Sequence, residues 1–443
     1  MHLDETGRRL RIHPAARTVE IALMPSLIGR EALGEMARDG ALIRQAMLKL
    51  IRAFRRRYRN RRLEGHLFES FLPYRRWWPL VEGERRRLPQ IQFMRFDVHY
   101  DDRRGRGLFL ETNSDYPGGF LQCALIRQAW IRTSLAESLL ARFDTGTFAA
   151  DRPQGFLHFL VRRARQLAGE SRTATVAICT DHPGQRNEVL LLQRLFESVK
   201  RTGGLQDIDL LLCRMQEVEC GPGGGVRVRG RRVDLIHNEL EFLDVDPGDH
   251  DVAGWLRASR SRRCDFLNGL GACYLTQTKR IAAVLTDPRI QAELGLSAAQ
   301  RRAARRRFPP TRTLEPSDLT RHPSTWLAGC GSAGVVLKPD ALGMGQGVVL
   351  GRECTAAELL CKAPGILRQN GVIQRYVALP RRPGYQSGER PSFISENYGF
   401  ELFYWGSHFA GPVSRSSPRG VVNVSKGGRE SPVLVVNSRP ILL

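Results

Sequence analysis

The chain has 443 residues, room for about three average domains and more than enough to bury a core without disulfide staples. Hydrophobic residues at 42% and charged residues at 26% exclude a wholly disordered chain. No stretch approaches the run of about 18 apolar residues that a membrane-spanning helix needs, and Met1-His2-Leu3-Asp4-Glu5 carries neither a basic nor an apolar leader. The expectation is a soluble, cytoplasmic protein.

Lysine plus arginine number 68 against 45 acidic residues, a formal charge of +23. Lysine stands only at positions 49, 200, 279, 338, 362 and 426, so the excess is almost wholly arginine. Such a balance suits nucleic acid, an acidic lipid or an anionic substrate, and equally a coding bias toward arginine. The nine cysteines form no CxxC pair and no cysteine–histidine cluster with zinc spacing, which reads as reduced, structural thiols.

In chain order, residues 31–58 carry apolar side chains at helical spacing (Leu33, Met36, Ala37, Ala41, Leu48, Ile51, Phe54). The aromatic, proline-broken stretch from Phe68 to Trp78 reads as packing. Ile91 to Tyr100 and Leu108 to Asn113 read as two strands of a hairpin. From 151 to 270, strands at Ala174–Cys179, Ile208–Cys213, Val226–Val228 and Val233–His237, with a helical pattern after the first, have the alternating look of an α/β unit. Thr278 to Ala299 reads as a helix ending before Phe308-Pro309-Pro310. Strands are then expected at 334–338, 347–350 and 372–377, a short helix at 355–361, and turn-broken strands from Phe400 to Val422.

Residues two apart in a strand share a face. Arg95 with Asp97, and Glu111 with Asn113, would therefore bring three oxygen ligands and one guanidinium together if the hairpin pairs them on one side. Hard oxygens plus an arginine are what a magnesium–nucleotide site requires. The turn Pro117-Gly118-Gly119 that follows allows close backbone approach to an anion. An exposed hairpin of alternating charge has the same pattern, although Asp and Asn are costly inside strands.

A second constellation delivers Lys338 from an apolar strand into a loop with Gly343, Gly345, Gln346 and Gly347. Glycines let such a loop fold over phosphates, and the ammonium is a compact partner for their oxygens. It is neither a Walker A loop nor a dinucleotide fingerprint, which leaves a strand–loop–strand cover over ATP or a plain hairpin loop. The strand with Gln374, Tyr376 and Val377 could border an adenine ring or be ordinary core. Lys279 is a second candidate for phosphate, and Arg415 suits phosphate or carboxylate. Asn423 and Lys426 precede a Gly-Gly turn near the C-terminus.

Together these elements resemble the ATP-grasp superfamily typified by D-alanine–D-alanine ligases. Arg95-Phe96-Asp97 and Glu111-Thr112-Asn113 running to Pro117-Gly118 are similar to the family's metal strands, with one extra residue before the Pro-Gly. Val336 to Val348 is similar to its lysine strand and glycine loop. Here the metal strands precede the lysine lobe, an order that resembles the circularly permuted, glutathionylspermidine synthetase-like group. The resemblance implies an α/β (α+β) chain with a permuted ATP-grasp fold and an inserted Rossmann-like domain. Its segments would be 1–150 (helices and metal hairpin), 151–270 (pre-ATP-grasp-like domain) and 271–443 (nucleotide lobe and C-terminal strands).

It further implies that Asp97, Glu111 and Asn113 hold Mg2+ and that Arg95 stabilises an acyl-phosphate. Lys279 and Lys338 would contact phosphates, the glycines would let the loop close, and Gln374 to Val377 would line the adenine pocket. Glu396 and Glu401 are the candidates for the ribose. The implied activity is an ADP-forming carboxylate–amine ligase using ATP, with small-molecule or peptide substrates; a nucleic-acid-linked or acidic substrate also suits the charge. The alternatives are an ATP-grasp phosphotransferase and a basic nucleic-acid-binding protein without catalysis.

Overall fold

The computed structural model describes residues 11–12, 19–22, 24–84, 87–101, 105–141, 148–169, 173–181, 187–240, 245–343, 345–386, 392–418, 422 and 428–437. Asn423 and Lys426 lie outside them, as does Met344 in the glycine loop.

Helix α1 (Arg30–Arg59) buries Leu33, Met36, Ile43, Met47, Leu50, Ile51 and Phe54, a stripe with the three-and-four spacing read from the sequence. The stripe packs on one face of an eight-stranded sheet. That sheet is built mainly from β1 (Phe93–Asp101), β2 (Arg106–Asn113) and four strands from the C-terminal part of the chain. Met94, Phe96, Val98, Phe400, Leu402 and Tyr404 meet α1 in one core, which also takes in Phe68, Phe71, Tyr74, Trp77 and Trp78. The aromatic stretch is therefore packing. After β2 comes α2 (Phe120–Trp130), entered through the Pro117-Gly118-Gly119 turn.

Residues 151–270 contain α3 (Pro153–Ala168), β3 (Ala174–Cys179), α4 (Asn187–Arg201), β4 (Ile208–Cys213), β5 (Leu235–Asn238) and β6 (Asp265–Phe266). The four strands form an all-parallel sheet in the order β6-β5-β3-β4. β3 is buried at every position, as a parallel strand covered on both faces must be. Phe93, Phe120, Phe156, Phe159, Phe403 and Trp405 join this block to the second face of the large sheet. The chain then passes α5 (Leu270–Thr276).

The helix expected over 278–299 is broken in three: Ile281–Thr286, Pro288–Glu293 and Ala298–Arg307. Pro288 cannot continue the first helix, and Asp287 caps the second by accepting from the Arg289 amide; Gly295, at φ +58°, ends it. The last helix runs to Arg307, just before Phe308-Pro309-Pro310.

A separate four-stranded antiparallel sheet follows, β7 (Thr311–Thr313), β8 (Val335–Lys338), β9 (Val349–Leu350) and β10 (Val372–Arg375), in the order β7-β10-β8-β9. It is covered by α6 (Ala356–Arg368) and has its own core of Leu314, Trp326, Val335, Leu337, Leu359, Ala363, Ile366 and Ile373. The remaining strands, β11 (Arg381–Gln386), β12 (Ser392–Trp405), β13 (His408–Ser417) and β14 (Arg429–Ser431), return to the large sheet, where β12 pairs with β1. Among the described residues no helix is long and apolar enough to cross a membrane.

The lobe with its own core is fastened by one buried knot. The Asp340 carboxylate, fully buried, accepts from the Arg280 amide at 2.8 Å and from the Tyr74 hydroxyl at 2.7 Å, and pairs with the Arg280 guanidinium. Arg280 also donates to the carbonyls of Ser70 and Asn370. Three distant segments thus share one ion pair. Asp340→Ala would leave the Arg280 guanidinium buried and unneutralised, and urea unfolding should show a loss of about 3–5 kcal/mol. A loss below about 1 kcal/mol, the size of an exposed pair, would refute the assignment.

Candidate active site

The second face of the large sheet is polar where β1, β2 and β12 meet. Asp97 pairs across the ladder with Glu111 on one side and Glu401 on the other, and Arg95 pairs with Asn113. The four residues singled out in the hairpin therefore do share a face. A bulge makes this so: Asp97 pairs with Glu111 but Val98 pairs with Phe109, which leaves Leu110 without a cross-strand partner. Phe109 turns into the core while Glu111 and Asn113 turn to the site. The Leu110 carbonyl accepts from Lys338 Nζ and Gln374 Nε2, each at 3.4 Å.

Arg95 forks onto Asp97, Nε to Oδ1 at 2.7 Å and Nη2 to Oδ2 at 3.2 Å, and its Nη1 donates to the Gly118 carbonyl at 2.8 Å. Asn113 donates to Asp97 Oδ1 at 2.9 Å. Arg95 Nη1 also stands 3.6 Å from Glu401, whose other oxygen takes Arg415 Nη1 at 2.8 Å. Arg415 reaches the same Gly118 carbonyl at 3.5 Å. Lys279 Nζ lies 3.8 Å from Glu111 and 2.5 Å from the Leu342 carbonyl in the glycine loop.

Burial is the largest influence on these groups. It pushes Asp97 up to about 7, with Glu111 and Glu401 adding to the effect against the pull of Arg95. Burial would raise Glu111 too, but Lys279 and Lys338 overcome it and hold that carboxyl down at about 2. Lys338 is pushed down to about 8 by burial and by Lys279, against Glu111 and Asp97. The site gathers carboxylates on one side and ammonium groups on the other.

Among the described residues no cluster of three or more His, Cys, Asp or Glu side chains has the arrangement of a metal site. The donor set here is two carboxylates and an amide, all hard oxygen ligands, and a carboxyl pushed up chiefly by burial, with a second carboxylate adding to it, is what a divalent cation relieves. The residues present fit magnesium.

The other expected residues divide. Gly345 and Gly347 hold the loop in the left-handed region at φ +67° and +68°. The Gln346 amide closes a turn onto the Gly343 carbonyl at 3.0 Å, and its side chain is exposed. Gln374 is buried and bonds Thr311 at 3.0 Å as well as Leu110. The Val377 carbonyl lies 3.2 Å from His99 Nδ1. Tyr376 is not part of the cluster: its hydroxyl accepts from Arg352 at 2.7 Å and its ring carries the same guanidinium. Glu396 bonds Arg429 at 2.8 Å on the opposite face of the sheet, and Glu401 is taken up by two arginines, so the geometry singles out neither for a ribose.

Sequence reasoning gave Glu401 no role at the centre of the charge array. A lone acid in the apolar run Phe400–Trp405 was the available signal. His99 and Glu188 were also passed over. Glu188, at the start of α4, caps α2 by accepting from the Gly119 and Leu121 amides at 2.7 and 2.8 Å.

No protein-family model matches the chain, and no curated protein matches it. Among solved structures, a glutathione synthetase-like effector from Globodera pallida, in its apo form, superposes with a TM-score of 0.62 at 12% identity, covering 96% of this chain and 93% of its own. That likeness shows the fold, which the two chains share over nearly their whole length. A candidate gamma-glutamylcysteine synthetase from Methylobacillus flagellatus gives 0.41 at 10% identity, covering 86% of each chain. D-alanyl-alanine synthetase A from Vibrio cholerae gives 0.29 at 11%, covering 52% of this chain and 68% of its own.

Two outcomes follow from the geometry. Gly119 sits at φ +102°, and a Cβ there would come within 2.6 Å of Arg415 Nη2. Gly119→Ala should cost about 1–3 kcal/mol in thermal unfolding, from backbone strain alone. His99 is held neutral by burial and by Lys338, down to about 3 from an ordinary 6.5, against the Val377 carbonyl and Glu111. The unfolded chain takes up a proton that the folded one refuses, so stability should fall as pH drops from about 6.5 toward 3. Unfolding curves of His99→Asn across that window should be measurably flatter than wild type; identical slopes would remove His99 from the account.

Proposed function

We propose that the chain is an ATP-dependent, ADP-forming carboxylate–amine ligase with a circularly permuted ATP-grasp architecture, in which the α/β block of 151–270 is the inserted domain. One observation carries the reading. The oxygen cluster of Asp97, Glu111 and Asn113 faces Lys279 and Lys338, which arrive from two later segments of the chain beside a glycine-rich loop. A surface hairpin of alternating charge has no reason to bury its carboxylates against two of a protein's six lysines. The fold shared with a chain named as glutathione synthetase-like supports the same reading.

In this reading Asp97, Glu111 and Asn113 would hold magnesium, which supplies charge neutralisation for the β- and γ-phosphates of ATP. Lys279 and Lys338 draw the phosphate chain in, and Gly345 and Gly347 let the loop lie over it. A carboxylate oxygen of the substrate attacks the γ-phosphorus as the bond to the β-phosphate oxygen breaks, releasing ADP and leaving an acyl-phosphate. An amine then adds to the acyl carbon, and phosphate departs as the nitrogen loses a proton. Arg95, aimed by Asp97 and Gly118, and Arg415, aimed by Glu401, are the donors placed for the charge that develops on oxygen. Gln374 and the Val377 backbone would border the adenine.

Calorimetry with a non-hydrolysable ATP analogue and magnesium tests this on the full chain. Wild type should bind in a magnesium-dependent way. Lys338→Ala and Asp97→Asn should each weaken binding about tenfold or more, the loss expected for one charge-assisted contact. A folded wild-type protein that binds no nucleotide would overturn the proposal.

A further inference from the structure

Away from the Asp97 cluster, two open cavities of about 1080 and 590 Å³ adjoin and share Arg260 in their walls. The larger is lined by Arg55 and Arg59 from the end of α1, by Pro79, Glu82 and Gly83 of the helix Trp78–Gly83, and by Arg87, Arg260 and Arg262. The smaller adds Arg257 and the glycine-rich turn after Cys220. Together the walls hold six arginines and one carboxylate, Glu82.

Elsewhere several guanidinium groups of this arginine-rich chain are matched with carboxylates. Arg57 pairs with Glu293, Arg306 and Arg307 with Asp39, Arg312 with Asp318, and Arg165 with Asp207. None of these pairs lies in the cleft. Among the described residues the side chains of Arg59, Arg260 and Arg262 have no hydrogen-bond or ion-pair partner. Arg87 donates to the Leu167 carbonyl, a contact that orients its guanidinium without cancelling its charge, and Arg55 donates to the Glu84 carbonyl. Arg260 is also seated, because its Nε lies 2.7 Å from where a Cβ on Gly83 would stand. A bias toward arginine codons explains the residue type, but it does not explain why six arginines from three segments converge on one concavity beside a single carboxylate.

We propose that this cleft is a binding site for a small anion carrying two or more phosphoryl groups. Guanidinium forks match phosphoryl oxygens, and several around one concavity favour a ligand of high charge density. The volume suits a molecule of cofactor size. No aromatic side chain lines either cavity, so there is no platform on which the bases of a single-stranded nucleic acid could stack. The site shares no lining residue with the proposed nucleotide site, and the inference does not depend on the ligase reading.

Inorganic tripolyphosphate is the probe, titrated calorimetrically into the full chain. Binding should persist in Lys338→Ala, in which the proposed nucleotide site is crippled. Adding Arg260→Gln and Arg262→Gln to that variant should weaken it about tenfold or more, since each lost charged contact is worth roughly that factor. Both arginines are exposed, so the thermal midpoint should not move. No tripolyphosphate binding by Lys338→Ala, or binding indifferent to the arginine substitutions, overturns the proposal. So does an arginine-dependent affinity for a single-stranded oligonucleotide without one for tripolyphosphate, which would make the cleft a nucleic-acid surface.

Discussion

Three carboxylates on one face of one sheet, Asp97, Glu111 and Glu401, are the constraint that organises this protein. They stand side by side on β2, β1 and β12 and are largely out of water. Like charges so placed repel, and burial penalises each of them. Every one is met by cations from elsewhere: Asp97 by Arg95, Glu401 by Arg95 and Arg415, Glu111 by Lys279 and Lys338. The compensation links the hairpin, the helical segment after α5, the lysine lobe and the C-terminal strands. Pulling any of these segments away would weaken the compensation of a buried charge.

Two further devices keep that array in register. Gly118 offers one carbonyl to both Arg95 and Arg415, and its turn is pinned from the parallel-sheet block by Glu188. The lysine lobe has a core of its own, yet Asp340, two residues beyond Lys338, locks it to Arg280, which directly follows Lys279. The two lysines are thus each next to, or one step from, a residue of the same buried knot. Structural and candidate catalytic roles alternate along the chain, so the fold positions the ammonium groups as a consequence of holding itself together.

The bulge at Leu110 shows where local pattern and final geometry part company. Strict alternation along β2 would put Phe109 on the same face as Glu111. The extra residue separates them, sending the ring to the core and the acid to the site, and it also frees the carbonyl that Lys338 and Gln374 use. Tyr376 is the opposite case. The expected strand runs to Val377, but the ladder ends at Arg375, and the ring carries the Arg352 guanidinium.

By itself the sequence determined the elements whose chemistry is local. The α1 stripe, the two hairpin strands with polar residues at period two, the glycine loop after Lys338, and the parallel strands of 151–270 are all readable because periodicity and turn residues act over a few neighbours. It also determined which residue types are available for oxygen ligation and phosphate contact. Tertiary structure alone decided which of them meet. Glu401 entered the centre of the array through its pairing with Asp97, and Lys279 and Lys338 converged on Glu111 through the Arg280–Asp340 knot. Glu396, equally acidic and five residues before Glu401, fell on the other face of β12. The physical reason is that charge compensation in a buried site depends on distance in space, and the pairing of strands far apart in the chain sets that distance.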